Sequence, residues 1–204
     1  SELGLKKLQK DCFEVGPDLN NADAILLRSY KLEKESITNE LKAVARAGAG
    51  VNNVPVDTCT EKGVVVFNTP GANANAVKEL VLCGLLLGSR EIVSGISFAT
   101  SQGTITDYNE LSKLMESEKK RFKGNEIAGK TLGVVGLGAI GSMVADMAIK
   151  LGMNVQGFDP ALSVDAAWRL PSDVKRIENL NTLIGSSDFI SFHMPVLDTT
   201  RNLI

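Results

Sequence analysis

The sequence predicts an α/β protein with parallel sheets and two domains, and three observations support this prediction. Short aliphatic runs, bounded by turn residues, alternate along the chain with segments of helical periodicity. Three closely spaced glycines directly follow one of these runs, and an aspartate ends the next run. Because strands that alternate with helices need crossover connections, we expect each sheet to be parallel.

The first part of the chain contains three candidate strands and three candidate helices. The strands are predicted where aliphatic residues stand between turn residues, at 22–27, 41–45 and 63–67. The helices are predicted from periodicity at 3–10, 56–62 and 74–90. The second strand leads into a glycine-rich segment at 46–53.

The third of these helices is apolar on nearly every side between residues 80 and 87, so we expect it to be buried all round. Gly84 and Gly88 form a GxxxG pattern. The apolar run is about half the ~20 residues that a membrane span requires. We therefore expect these two glycines to allow close helix packing in a soluble core.

Composition changes after this helix, and we place the domain boundary between residues 99 and 100. Asp107 and Glu110 have the spacing of a helix N-cap residue and its first-turn partner. Glu116 and Lys120 are spaced for an i,i+4 ion pair. This stretch is interpreted as a solvated helical surface.

The strongest motif is a strand, a glycine turn, a helix and a second strand in that order. The first strand is predicted at 131–135, and the turn contains Gly136, Gly138 and Gly141. Apolar residues then recur at helical spacing until Gly152, which stands where a helix C-cap belongs. The second strand, at 154–158, ends in Asp159. The order and spacing are those of a dinucleotide-binding βαβ unit.

Each residue of this motif has a physical reason. Gly136 permits a tight turn, Gly138 lets the backbone approach a pyrophosphate, and Gly141 lets the helix pack closely on the strand. The helix N-terminus offers N–H donors to the phosphates. Asp159 would accept hydrogen bonds from the adenosine ribose hydroxyls and repel a 2′-phosphate, which favours NAD over NADP. The alternative for Asp159, which precedes Pro160, is ordinary turn chemistry.

The rest of the chain continues the same sheet. We predict a short strand at 174–177, a helical stretch at 177–184 and a buried strand at 189–192. The last strand ends at His193, the only histidine of the chain. A position beyond the carboxyl end of a strand is where ligands bind in open α/β sheets, although a lone histidine is more often structural than catalytic.

Charge and cysteine content exclude several classes of function. Twenty-two basic and 24 acidic residues give a net charge of −2, and the basic run at 119–123 lies in an acidic stretch, so we expect no nucleic-acid partner. The N-terminus lacks the apolar segment of a signal peptide. The three cysteines are widely separated, which predicts buried, reduced thiols in the cytoplasm and no metal site. No membrane partner is expected.

The sequence resembles the D-isomer-specific 2-hydroxyacid dehydrogenases over nearly its whole length. The segments that show the resemblance are 28–29, 46–55, 68–70 with Glu79, 122–124, 129–133, the glycine turn at 136–141, and 188–195. Two of them, the Arg28–Ser29 pair and the Val-Asn-Asn-Val-Pro run that begins at Val51, are most similar to the branch that acts on phosphoglycerate.

The resemblance implies an incomplete flavodoxin-like substrate-binding domain over 1–99, without its first strand and its C-terminal return. It implies the first half of a Rossmann NAD-binding domain over 100–204. The implied substrate-binding residues are Arg28, Ser29, Arg46, Ala47 and Gly48, where guanidinium groups suit carboxylate or phosphate and the amides around Gly48 form an anion-binding nest. The implied cofactor-binding residues are Ala49, Gly136, Gly138, Ala139, Ile140, Gly141, Asp159, His193, Met194 and Pro195.

The implied activity is the NAD-dependent oxidation of 3-phospho-D-glycerate to 3-phosphohydroxypyruvate, the first step of serine biosynthesis, by a homodimer. The alternatives are another D-2-hydroxy acid, such as glycerate or lactate, and a noncatalytic NAD-sensing module similar to the family's corepressors. The family's catalytic arginine, glutamate and histidine are expected beyond Ile204, so no catalytic residue is assigned and the chain is expected to be an inactive fragment. Met194 replaces a threonine of the family. For Arg28 and Arg46 the alternative is a surface ion pair.

Overall fold

A computed structural model describes residues 2–8, 11–17, 19, 21–197 and 200–203 of the chain. The chain divides into two compact units, Ser1–Ala72 and Asn73–Ile204. This division lies before the predicted boundary at 99/100, because the helix Ala74–Ser89 packs on the helix Ala139–Lys150 of the second unit. The assignment of substrate-binding and cofactor-binding domains stays a prediction.

The first unit is a three-stranded parallel sheet with short helices. Its elements are α1 (Glu2–Leu5), β1 (Ala24–Leu27), a 3-10 helix (Lys34–Ser36), β2 (Ala43–Arg46), α2 (Val56–Glu61) and β3 (Val65–Phe67). The strands follow the order β1-β2-β3, which confirms the three predicted strands and their parallel direction. The helix predicted at 3–10 is wrong in length: α1 ends at Leu5, and Gln9 and Lys10 lie outside the described residues.

One side of this sheet forms the core of the first unit. Leu27 and Val44 pack there with Ile37, Leu41 and the other buried apolar residues of the unit. On the other side, Leu26, Val65 and Phe67 are exposed by 63%, 53% and 57%. The period-2 alternation of a strand produces this division, and β1 and β3 therefore each expose apolar side chains on this side of the sheet.

The predicted burial of the cysteines is confirmed at one position only. Cys59 lies in α2 and is fully buried, and this burial raises the pKa of its thiol. Cys12 and Cys83 are exposed, so the prediction is wrong for both. Their spacing in sequence contains no information on which side of a helix or turn they occupy.

The second unit is a four-stranded parallel sheet with helices. Its elements are α3 (Ala74–Ser89), α4 (Ile92–Ser101), α5 (Tyr108–Glu118), a 3-10 helix (Lys119–Phe122), β4 (Thr131–Val135), α6 (Ala139–Lys150), β5 (Asn154–Phe158), α7 (Val164–Ala167), β6 (Val174–Arg176), α8 (Leu180–Gly185) and β7 (Phe189–Phe192). The strand order is β6-β5-β4-β7, and all pairs are parallel. This confirms the predicted α/β class and strand-helix order.

The core of the second unit is formed by its central strands and the helix after the glycine turn. Leu132 and Val134 of β4 pack against Val144 and Ala148 of α6, and Val155 of β5 joins them. All five are at least 97% buried. Burial of each larger aliphatic side chain contributes roughly 1.5–3 kcal/mol relative to exposure. The repeat of apolar residues along α6 is therefore the pattern that fixes this helix on the sheet.

Helix α3 has the predicted position but not the predicted burial. Val81 and Leu85 pack into the core, whereas Leu80 is 71% exposed. A Cβ atom added to Gly84 or Gly88 would meet no atom within 4 Å, so the predicted close helix packing at these glycines is wrong within the chain. Helix α6, which packs most extensively on α3, covers only one side of it.

No single helix of the described residues is long and apolar enough to cross a membrane. Helices α3 and α4 satisfy that length and composition only when taken together, and they are bent by 66° at the break between them.

The polar helix α5 has the predicted cap and a different ion pair. The Asp107 carboxylate accepts a hydrogen bond of 2.8 Å from the Glu110 N–H, as predicted. Glu116 pairs with Lys119 and not with Lys120. A 3-10 helix begins at Lys119, and the tighter winding of this helix type aligns side chains three residues apart rather than four.

Helix α8 begins later than predicted. The prediction placed a helical stretch at 177–184, and the structure has α8 at Leu180–Gly185. The Asn179 side chain accepts a hydrogen bond of 3.1 Å from the Thr182 N–H, which makes Asn179 the N-cap residue. The cap fixes the start of the helix after β6 has ended.

Candidate cofactor-binding site

The glycine turn lies at the carboxyl ends of three neighbouring strands. It follows β4, which lies between β5 and β7 in the sheet. Gly136 has a φ of +88°, and a Cβ atom there would lie 2.9 Å from the carbonyl carbon of His193. Its N–H donates to the Phe158 carbonyl over 2.9 Å. Position 136 therefore requires glycine, both for its conformation and for the space available. The turn lies where the strand order reverses, which is the usual place for a ligand in such sheets.

The other two glycines of the turn differ in what surrounds them. A Cβ atom on the buried Gly141 would lie 1.9 Å from the Gly136 carbonyl oxygen. A Cβ atom on the exposed Gly138 would meet nothing within 4 Å. Gly138 is the N-cap residue of α6, and it has no side chain to cover the first turn. The helix N-terminus and its N–H donors therefore adjoin open space, which fits a bound pyrophosphate.

Asp159 joins the end of β5 to the glycine turn. Its Oδ2 atom accepts a hydrogen bond of 2.8 Å from the Leu137 N–H. Its Oδ1 atom accepts one of 2.9 Å from the Ala161 N–H. The second bond is the turn chemistry that was the alternative for this residue. Since an ionised carboxylate can accept about four hydrogen bonds, two positions remain for ribose hydroxyls.

His193 is hydrogen-bonded to residues of β4 and β7. Its N–H donates to the Val135 carbonyl over 2.8 Å, and its Nε2 atom lies 2.8 Å from the Ser191 Oγ atom. Burial lowers the pKa of the His193 imidazole, which favours its neutral form. Met194 is half-buried and Pro195 is exposed. The contacts of His193 fit a structural role at the edge of the site.

A cavity of about 980 Å³ opens beside Asp159 and Leu137. The segment between β5 and β6, which includes Pro160 and Trp168, also lines it, as does Arg176 of β6. Sequence analysis did not identify this wall, because the segment has no fixed spacing to the glycine motif. The one signal available was Trp168, the only tryptophan of the chain.

The predicted substrate-binding arginines lie together at the carboxyl end of the first sheet. Arg46 is the last residue of β2 and is paired in the register with Leu27, and Arg28 is the residue that follows Leu27. The Arg46 Nε atom donates to the Arg28 carbonyl over 3.2 Å. Within the described part of the chain, neither side chain lies within ion-pair distance of a carboxylate, which disfavours the surface ion-pair alternative. Ser29 is exposed beside Arg28.

Backbone amides of the loop after β2 already donate hydrogen bonds to carbonyl groups, so they are not free to bind an anion. The Ala47 N–H donates to the Leu27 carbonyl over 2.8 Å, and the Gly48 N–H donates to the Arg46 carbonyl over 2.9 Å. The Ala49 carbonyl accepts a hydrogen bond of 2.7 Å from the Asn68 side chain. The amides of Ala47 and Gly48, which the predicted nest would use, thus already donate to carbonyl groups of β1 and β2.

Asn53 is a residue of this site that sequence analysis did not single out. Its Nδ2 atom donates to the carbonyls of Arg28 and Tyr30 over 3.0 and 2.6 Å. The side chain therefore holds the backbone next to Arg28 in position. The signal was present, since Asn53 belongs to the Val-Asn-Asn-Val-Pro run, but the run gave no indication of its hydrogen-bond partners. Among the described residues, no group of three His, Cys, Asp or Glu side chains is placed to hold a metal ion.

Comparison with known proteins decides the family. Residues 97–204, more than half of the chain, match the family described as D-isomer specific 2-hydroxyacid dehydrogenase, NAD binding domain. The chain belongs to this family. Its members are NAD-dependent oxidoreductases, and the predicted fold class, family and NAD cofactor are all confirmed.

Individual relatives have names that differ in substrate. The chain is 36% identical to D-3-phosphoglycerate dehydrogenase of Methanocaldococcus jannaschii, covering 94% of this chain and 34% of the relative. It is 35% identical to hydroxypyruvate reductase of Thermotoga maritima, covering 100% and 60%. The NAD-bound crystal structure of 3-phosphoglycerate dehydrogenase from Entamoeba histolytica is similar with a TM-score of 0.63, 28% identity, and coverage of 88% and 48%. The chain thus spans about one third to three fifths of the length of these relatives.

Proposed function

We propose that this chain provides the NAD-binding and substrate-binding surfaces of an enzyme that oxidises 3-phospho-D-glycerate to 3-phosphohydroxypyruvate, the first step of serine biosynthesis. The supporting observation is that both arginines stand at the carboxyl end of the first sheet, where the Arg46 Nε atom donates to the Arg28 backbone carbonyl. Two guanidinium groups match the two anionic groups of phosphoglycerate, its phosphate and its carboxylate.

Within the second unit, the residues of the proposed NAD site have distinct tasks. NAD accepts a hydride from the carbon that bears the substrate hydroxyl. The glycine turn and the first turn of α6 hold the pyrophosphate, with Gly138 on the open side. Asp159 binds the ribose hydroxyls and disfavours a 2′-phosphate. His193 is bonded to Ser191, and we assign it no proton transfer.

The decisive experiment compares phosphorylated and unphosphorylated ligands. Arg46→Gln removes a charge-assisted contact worth about 1.5–3 kcal/mol, which corresponds to a Kd for 3-phosphoglycerate roughly 10- to 150-fold higher. We expect a smaller effect on D-glycerate, and isothermal titration calorimetry measures both. The matched control is Lys42→Gln, because Lys42 adjoins the opposite end of the same strand and pairs with Asp23 over 2.5 Å. Equal losses for the two ligands would contradict a phosphate-binding role for Arg46.

A second candidate is reduction or oxidation of an unphosphorylated D-2-hydroxy acid. The full-length match of this chain to a hydroxypyruvate reductase favours it. In that case the guanidinium groups would hold a carboxylate alone. The same titrations separate the two candidates, since an unphosphorylated substrate would then bind at least as tightly as 3-phosphoglycerate.

We further propose that the protein is a cytoplasmic homodimer that uses the exposed side of α3 and α4. Leu80 is 71% exposed, and Val93 and Ile96 are exposed by 60% and 61%. Gly84 leaves open space on α3 into which a neighbouring helix fits.

The balanced charge of the chain also supports small-molecule substrates rather than nucleic acid as its ligands.

A further inference from the structure

The wall of the cavity beside Asp159 contains an aromatic residue that the glycine motif does not explain. Helix α7 is capped by Ser163, whose Oγ atom accepts a hydrogen bond of 3.2 Å from the Ala166 N–H. Trp168 follows this helix, and its N–H donates to the Val164 carbonyl over 3.1 Å. The backbone of Trp168 is thus fixed, and Trp168 is one of the residues that line the cavity.

The exposure of this indole is unusual. Trp168 is 84% exposed although it borders a cavity whose lining includes apolar residues. A buried tryptophan removes on the order of 150–250 Å² from water, and that burial is not realised here. The aromatic stacking found in the described residues joins Phe98 and Phe122, not Trp168. One face of a large aromatic ring is therefore available to a ligand in the cavity.

The position of Asp159 indicates which part of a dinucleotide enters the cavity. If the carboxylate binds the ribose hydroxyls and the pyrophosphate lies at Gly138, the adenine lies within the width of one sugar ring from Asp159. The cavity that Asp159 borders is lined by Pro160, Leu170 and Ile177. These are apolar surfaces that suit a flat heteroaromatic base.

We propose that Trp168 binds the cofactor by stacking its indole on the adenine ring. This inference rests on the proposed placement of the dinucleotide at the glycine turn. Base–aromatic stacking tolerates any base because each has a π-face, and loss of one stack corresponds to a Kd roughly 5- to 150-fold higher. Trp168 thereby holds the adenosine end of NAD, and closes the cavity wall over it.

The test uses the 204-residue chain and AMP as the ligand. Because Trp168 is the only tryptophan, its intrinsic fluorescence reports on this position alone. We expect AMP and NADH to change the fluorescence, and nicotinamide mononucleotide to leave it unchanged. By calorimetry, Trp168→Ala should raise the Kd of AMP about 5- to 150-fold, and Trp168→Phe should stay within about threefold of the unsubstituted chain.

Two further variants make the result unambiguous. Tyr108→Ala removes another exposed aromatic ring, 80% exposed at the start of α5, and should not change AMP binding. Asp159→Asn should weaken AMP and ADP-ribose, and a lack of effect would overturn the placement of the dinucleotide. If Asp159→Asn weakens AMP but Trp168→Ala does not, only the stacking role of Trp168 is overturned.

Discussion

At the scale of single residues, the three glycines of the turn divide into two that are closely packed, Gly136 and Gly141, and one, Gly138, that borders open space. Gly141 has a backbone oxygen where its Cβ atom would be, and Gly138 has open space. The sequence motif already assigns Gly138 to backbone approach and Gly141 to close helix packing, but it contains no distance to the atoms around either glycine. Their neighbours in space come from the fold.

This difference predicts opposite effects of the same substitution. Gly141→Ala forces α6 away from the turn, and we expect a loss of at least ~2 kcal/mol in the free energy of unfolding. Gly138→Ala changes an N-cap residue and should cost no more than about 1 kcal/mol, but its methyl group lies on the pyrophosphate side and should raise the Kd of NADH about tenfold. Urea denaturation and NADH titration measure the two quantities. A larger stability loss in Gly138→Ala than in Gly141→Ala would contradict this assignment.

His193 gives the protein a predictable response to pH. Burial lowers the pKa of the folded-state imidazole, so the unfolded chain binds the proton more tightly. The contribution of His193 to stability is therefore present above the unfolded pKa of about 6.5 and is lost as the pH falls through the folded value. We expect the free energy of unfolding to decrease on acidification from pH 7 to 5, and to decrease less in His193→Gln. Identical pH profiles of the two proteins, measured by denaturation, would refute this prediction.

At the scale of elements, predictions succeeded where one strong local pattern decides the structure. The strands β4, β5 and β7 have the predicted bounds, residue for residue. Helix α8 was misplaced because the cap at Asn179 outweighs the apolar spacing that begins at Ile177. The burial of α3 was wrong because apolar residues on several sides of a helix show that it can be covered, not that neighbours are present to cover it.

At the scale of the whole molecule, the class of the fold and the family followed from the sequence, but the bare surfaces did not. The face of the first sheet with Leu26 and Phe67, and the face of α3 with Leu80, are both apolar and exposed. Sequence periodicity indicates which residues share a face of an element. What covers that face depends on packing partners, which no local pattern contains.

The proposed homodimer makes a prediction at this scale. Leu80→Glu places a charge in the centre of the exposed α3 surface, where burial of an unpaired carboxylate costs several kcal/mol. We expect the variant to be monomeric in sedimentation velocity experiments while its far-ultraviolet circular dichroism is unchanged. Val164→Glu is the control, because Val164 is 74% exposed on α7, away from α3. A dimer that persists in Leu80→Glu would exclude this surface.

The two hydrogen bonds of Asp159 have a consequence for redesign of the cofactor preference. One bond holds Leu137 in the glycine turn, and the other holds Ala161 at the start of the cavity wall. A neutral replacement without a side-chain acceptor, chosen only to admit a 2′-phosphate, would release both loops together and weaken the pyrophosphate binding that the new cofactor also needs. Conversion therefore requires a residue that keeps both acceptors in place, and Asn, with one oxygen and one NH₂ group, keeps only one of them.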